Sequence, residues 1–280
     1  MHRRNERFDV PKGNSEQKLT MLVFPQLTTG VLSQFPLRRR RLARTLTNTL
    51  PDLSTIKLSD PAGEILEWHL TYTGLTDGEL ANLQTFFEAT EGSLNVFTFL
   101  DPTSNLLAWS DQLTEAAWTA DPFIALRGNV TDPTGGTKAW QIWNSGMAPQ
   151  GITQTLMAPG TYVYCFSAYM RSLSETAATL LLGNSQLPIA VGANWNRFTV
   201  AARGDTTALS TTFGISIPAG VSLEVFGIQA EAQPAASEYK PSTTGGVYGN
   251  AYFRDDTLTF TSTDVNHHST TLTVRYANHL

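Results

Sequence analysis

The stretch "FTFLDPTSNLLAWSDQLTEAAWT", residues 97–119, joins two different kinds of sequence. Before it, the pattern is strand, helix, strand. After it, Trp-rich sequence with many Gly, Pro and Thr runs on in short alternating segments. Near residue 245 the first pattern returns, as "DDTLTFTS" and "TTLTVRYANHL". Two such strands alone are marginal in water. They must therefore complete a sheet begun before residue 101, and whatever lies between is expected to be an insertion. Insertion is tolerated where the two ends of a module lie close together.

Residues 21–101 carry the local signals of the first pattern. "EWHLTYT" places Leu66, Trp68, Leu70 and Tyr72 on one face and Glu67, His69, Thr71 and Thr73 on the other, a strand with one buried face. "TIKLS" alternates as well, which predicts Ile56 and Leu58 inward. In "TDGELANLQTFFEATEG", Thr76 is followed three residues later by Glu79, a capping box. Leu80, Leu83, Phe86 and Phe87 then fall on one helical stripe, and Gly92 suits the C-terminal end. "NVFTFLD" reads as the next strand. The run Arg38–Arg41 is expected to be a solvated loop; its rival role is contact with an acidic neighbouring subunit.

Between residues 105 and 243, "GTYVYCFSAYMRS" alternates with apolar residues on both faces, as in the centre of a two-sheet stack. Cys165, the single cysteine, is then a small buried residue, and no internal disulfide can form. "NRFTVAA", "TTFGISIP" and "VSLEVFGIQAEA" are further short strands. The chain is 41% hydrophobic and 15% charged, enough apolar content for real cores. A net charge of −5 gives no reason to expect nucleic acid as a partner. No apolar run approaches the ~18 residues that span a bilayer, so membrane insertion is not expected. Residues 1–20 are basic and polar without the apolar region of a signal peptide; they read as a mobile arm, and Met21 as an alternative natural start.

The ordered set "NLLAWSDQLTEAAWT", "DPTGGTKAW", "GTYVYCFSAYMRS", "NWNRFTV", "SLEVFGIQAEA" and "ASEYKPS" resembles the carbohydrate-binding-module-like jelly rolls of many bacteriophage tail proteins and some secreted glycanases. "LQTFFEATEGSLNVFTFLDP" is similar to the N-terminal ring-forming domain of phage distal tail proteins. The resemblance implies a mainly β chain. A tail-tube-like β-sandwich or barrel domain with one α-helix would occupy residues 21–104 and 244–280. A jelly-roll β-sandwich would be inserted at 105–243. It further implies a structural virion protein of the phage tail tip, forming a ring, a hexamer in that family, below the tail tube and beside the tail-tip hub proteins. The insert would face outward, toward host surface glycans. No cofactor is expected, although similar jelly rolls carry a structural Ca²⁺, for which Asp111, Asp132 and Glu231 are candidates by residue type alone.

No nucleophile elbow, zinc-protease helix, P-loop or dinucleotide fingerprint is present, so catalysis is not expected. Five of six Trp residues, Trp109, Trp118, Trp140, Trp143 and Trp195, lie in the proposed insert, and indole faces suit sugar C–H surfaces. Trp118 and Trp195 are expected in the core. Trp140 and Trp143 are the glycan-binding candidates; three apart, they face opposite ways if in a strand. His267 and His268 read as a loop pair, with a metal site shared with His279 as the sharper reading. Glu224 and Glu231 lie in or beside one strand, with no sign of the facing carboxyl pair a glycosidase needs. The rival functions are a tail-associated or secreted glycan-degrading enzyme and a free carbohydrate-binding module; the interrupted architecture argues against the latter.

Overall fold

The computed structural model describes residues 21–205 and 207–277; the N-terminal arm expected at residues 1–20, and His279, lie outside them. β1 (Arg38–Thr49) and β2 (Thr55–Leu75) form a long antiparallel hairpin. The alternation around Trp68 holds: Trp68, Leu70 and Tyr72 are fully buried. The Tyr72 hydroxyl donates to the Leu32 carbonyl at 2.7 Å, satisfying its one polar group.

Two expectations fail in this hairpin. Arg38–Arg41 is not a loop but the start of β1, paired with Leu66–His69. Its charges are held by carboxylates from other segments: Arg39 lies 3.2 Å from Asp101, and Arg40 3.5 Å from Glu67. Ile56 and Leu58 do not point into a core. They sit on a two-stranded ribbon in which residues 43–59 are all exposed. The alternation is real, but no layer lies opposite it.

α1 (Asp77–Ala89) has the expected capping box. Glu79 N–H donates to Thr76 Oγ1 at 3.2 Å, and Thr76 N–H donates back to Glu79 at 3.0 Å. Glu79 is also gripped by Thr28, whose N–H and hydroxyl donate at 2.9 and 2.6 Å. Burial alone would raise the Glu79 carboxyl's pKa, but these donors outweigh it and hold it below the usual range. Leu80, Leu83 and Phe86 are buried and Phe87 is half-buried. Gly92 ends the helix region at φ +66°, where a side chain would be strained. β3 (Phe97–Leu100) follows, fully buried.

The middle of the chain supplies ten strands: β4 (Thr119–Ala120), β5 (Ile124–Val130), β6 (Ala139–Asn144), β7 (Gln150–Leu156), β8 (Val163–Arg171), β9 (Thr176–Leu182), β10 (Ser185–Val191), β11 (Asn196–Arg203), β12 (Thr211–Ile217) and β13 (Ser222–Glu231). They form two five-stranded antiparallel sheets, ordered β10-β9-β12-β7-β4 and β11-β8-β13-β6-β5, the layers of a jelly-roll sandwich. β8 is interior to its sheet. Tyr164, Phe166, Ala168 and Met170 are fully buried, with Tyr164 and Phe166 packing on Phe213 of the other sheet at 5.5 and 5.9 Å between ring centres. Cys165, on the other face, is also buried, and burial pushes its thiol up to about 11.

The chain then returns. β14 (Val247–Phe253), β15 (Phe260–Asp264) and β16 (His267–Ala277) join the first sheet, ordered β1-β2-β16-β14-β3 with β15 also on β16. Leu272 stands opposite Leu70, Val274 opposite Trp68 and Tyr276 opposite Leu66. Among the described residues no sheet closes into a barrel. β14 carries no clean alternation in sequence, because "VYGNAYF" is broken by Gly249 and Asn250. His267 and His268 open β16 rather than a loop.

The segments that lead into and out of the sandwich run side by side. Trp109 N–H donates to Thr243 at 3.3 Å, Ser110 N–H to Ser242 at 2.9 Å, and the Ser242 hydroxyl to Leu107 at 2.6 Å. A second contact joins the sandwich to residues near the N-terminal side of the sheet. Gln26 and Val163 exchange hydrogen bonds at 2.8 and 2.9 Å, and the Tyr162 hydroxyl donates to Phe24 at 2.6 Å.

Candidate functional site

The strand register of the sandwich builds a row of polar side chains on its outward face. Arg171 on β8 pairs with Glu224 on β13, which pairs with Gln141 on β6. Their neighbours along the strands, Met170, Leu223 and Ile142, point into the core. Alternation therefore turns Arg171, Glu224 and Gln141 outward together. Arg171 Nε donates to Glu224 Oε2 at 2.5 Å, and the Gln141 amide donates to Ser222 Oγ at 3.0 Å. The Arg171 guanidinium also lies 4.8 Å from the centre of the Trp195 ring. Trp195 stands in the turn before β11, half-buried.

Arg171, Glu224, Gln141 and Ser222 border a cleft of about 490 Å³, rimmed by Ser172, Leu173, Ser174, Thr176 and Gly220. Its charges are one guanidinium and one carboxylate, already paired. It offers fixed donors and acceptors on a rigid sheet, hydroxyl groups at the rim and an indole beside them. Such a surface suits a neutral, polyhydroxylated ligand rather than an anion or a cation.

The two candidate Trp residues are not brought together. Trp140 turns inward, its ring over Gly128, and its N–H donates to the Asp111 carbonyl at 2.9 Å. Trp143 turns outward opposite Ser222, a residue of the cleft, and is 49% exposed. Trp118 is buried and donates to the Trp109 carbonyl at 3.0 Å. Trp195, expected in the core, is half-buried beneath the Arg171 guanidinium instead. The residues missed from sequence are Arg171, Gln141 and Trp195. Arg171 was already on the face opposite Met170 by alternation; the register that sets it beside Glu224 has no local signal.

Asp111, Asp132 and Glu231 do not converge. Lys138 lies 3.1 Å from Asp111, and the Tyr239 hydroxyl donates to it. Asp132 is ringed by N–H donors from Thr134, Gly136 and Lys138. Glu231 accepts from Ser237 and faces Lys240 at 3.5 Å. Among the described residues no group of three His, Cys, Asp or Glu side chains could hold a metal ion. His268 is sandwiched between Ser262, 2.7 Å from Nδ1, and Asp77, 2.6 Å from Nε2, while His267 is exposed.

No protein-family model matches the sequence, and no curated protein matches it. Similar solved structures include the C-terminal family 22 carbohydrate-binding module of Clostridium thermocellum Xyn10B, 16% identical over 49% of this chain and 99% of the module, with a TM-score of 0.40. A family 22 xylan-binding domain is 15% identical over 49% of this chain and 100% of that domain, also with a TM-score of 0.40. The enzymatically active domain of tailspike protein 4 from bacteriophage CBA120 is 13% identical over 48% of this chain, with a TM-score of 0.36; the match spans 22% of the tailspike chain.

Proposed function

We propose that this chain is a structural protein of a phage tail tip whose jelly-roll sandwich binds host surface glycans weakly and does not cleave them. The observation that carries the binding role is the outward row Arg171–Glu224–Gln141 beside Trp195, a rigid hydrogen-bonding surface with an indole next to it. The tail-tip role draws support from the interrupted sheet, in which strands before residue 101 and after residue 246 pair, and from the likeness of residues 83–102 to distal tail proteins. On this reading copies of the chain form a ring below the tail tube, against the hub proteins, with the sandwiches outward. A ring multiplies weak sites: a single site near millimolar could gain about 10²–10⁴-fold in avidity.

The rival is a glycan-degrading enzyme. It needs two carboxyls ~5–10 Å apart across a cleft. Glu224 is the one carboxylate among the residues lining this cleft, and Arg171 holds it. The test uses the purified full chain on host surface polysaccharide. Surface binding without release of reducing ends, together with rings in electron micrographs, is the expected result. Turnover of the polymer would promote the enzyme. Failure to bind would reduce the sandwich to a spacer.

A further inference from the structure

One glutamine before β1 reaches across to the sandwich and behaves there like a piece of strand. Gln26 Oε1 accepts the Val163 N–H at 2.8 Å, and Gln26 Nε2 donates to the Val163 carbonyl at 2.9 Å. A single side chain thus meets both backbone polar groups of one residue, as a neighbouring strand does. The place is specific. Val163 opens β8, and β13 pairs along β8 only as far as Glu231 opposite Cys165. Gln26 takes up the ladder where β13 leaves it.

The segment that carries Gln26 is fixed to the sheet side of the molecule. Phe24 N–H donates to Thr98 in β3 at 2.9 Å, and Thr28 grips Glu79 in α1. Phe24 and Leu27 are buried. Gly30 turns the segment at φ +82°, and a Cβ there would stand 3.2 Å from the Val163 Cβ, so the backbone itself lies against the start of β8. Gln26 Nε2 also donates to the Gly30 carbonyl at 2.7 Å, which holds the amide in its bridging position. Beside it the Tyr162 hydroxyl donates to the Phe24 carbonyl at 2.6 Å.

Two modules joined only by linking segments move relative to each other by default. We infer that residues 22–31 are a strap that overrides this motion and holds the sandwich in one orientation on the sheet, with Gln26 as its key. Without the strap the sandwich stays folded but swings on the segments around Ser104 and Thr244. The consequence lies at the other end of β8. Val163 and Arg171 are its first and last residues, roughly 26 Å apart at the usual rise of a strand. Gripping Val163 therefore aims the face that carries Arg171 and Glu224. This aim is independent of what that face binds.

The groups through which the strap holds the sandwich are uncharged, so the hold should be insensitive to salt. The test measures distances between two nitroxide labels on the full chain by pulsed electron resonance. The labels are placed through Glu88→Cys in α1 and Met147→Cys in the sandwich, both exposed positions, while the native Cys165 is buried. This parent should give one narrow distance distribution, unchanged at high salt. Gln26→Ala should broaden it, and Tyr162→Phe, which removes one donor, should broaden it less. Gln34→Ala is the control. Gln34 makes the same paired bonds with Thr73, at 2.8 and 3.0 Å, within the sheet side alone, so its loss should leave the distribution narrow. Circular dichroism checks that each variant is folded; if Gln26→Ala is not, Tyr162→Phe decides. A broad distribution in the parent, a narrow one in the folded strap variants, or equal broadening by Gln34→Ala overturns the strap. So does broadening of the parent by salt, which would assign the hold to the Arg39–Asp101 ion pair instead.

Discussion

Asp101 and Gly246 touch: the Asp101 N–H donates to the Gly246 carbonyl at 2.8 Å, at the point where the chain leaves the first sheet and where it returns. β3 and β14 are neighbours there, with Leu100 opposite Val247. The chain leaves for the two-sheet sandwich and returns from it across a gap that this hydrogen bond spans.

Excision is therefore expected to leave a folded remainder. Deleting residues 105–243 and closing the gap with a short Gly/Ser linker should give a chain that still shows β circular dichroism and dispersed amide proton signals. It should be less stable than the full chain, because the bonds of Gln26 and Phe24 to Val163 and Tyr162 are lost. An unfolded product would mean that the sheet depends on the sandwich.

The helix stripe predicts an order of stability loss. Phe86 is buried among Phe24, Phe97 and Phe253, with ring centres 5.8, 5.0 and 5.9 Å away. Phe86→Ala should cost ~3–5 kcal/mol in urea unfolding. Phe87 is half-buried and touches Phe253 at 5.1 Å, so Phe87→Ala should cost roughly half as much. Equal losses, or none, would contradict the orientation of α1.

The cap predicts a pH dependence. Folding lowers the Glu79 pKa, so its stabilisation is present above the unfolded value of about 4.3 and is lost as pH falls through the folded value. Glu79→Gln replaces an acceptor oxygen with an amide donor facing the Thr28 and Thr76 N–H groups. The gap in unfolding free energy between wild type and variant should be widest near neutral pH and should narrow as pH falls below the unfolded value. Thr76→Ala, which removes the other half of the box, should cost about 1 kcal/mol. A Gln variant equal to wild type at pH 7 would refute the role of the carboxylate.

Local signals were legible and registers were not. Thr76 and Glu79 sit three residues apart, so the cap is written in one turn of chain. Trp68, Leu70 and Tyr72 likewise announce a strand and its buried face. Ile56 and Leu58 carry the same alternation, yet their face is bare: period reveals that a strand has two sides, and not which side meets a core. Arg38–Arg41 looked like a loop because strong charge repels itself; Asp101, Glu67 and Glu64, which neutralise it, arrive from elsewhere in the fold. The cleft was hidden for the same reason. Arg171, Glu224 and Gln141 stand on three strands that only pairing aligns.

The last prediction concerns that cleft. Trp195 supports the Arg171 guanidinium at 4.8 Å, and Arg171 in turn fixes Glu224. Trp195→Ala removes the indole and loosens the row, so binding to host polysaccharide should fall at least tenfold, about 1.4 kcal/mol. Trp195→Phe keeps a ring under the guanidinium and should recover part of it. Glu224→Gln keeps the shape but breaks the ion pair and should weaken binding without abolishing it, as suits a positioning contact rather than a catalytic acid. Trp140→Phe should change stability and not affinity, since Trp140 faces inward and its N–H serves Asp111. Trp143→Ala should fall between, for its half-exposed side chain stands on the strand beside Ser222, which lines the cleft. Surface binding of each variant to immobilised polysaccharide ranks them. If Trp195→Ala binds as the wild type does, the cleft is not the glycan site, and the exposed face of Trp143 becomes the place to look.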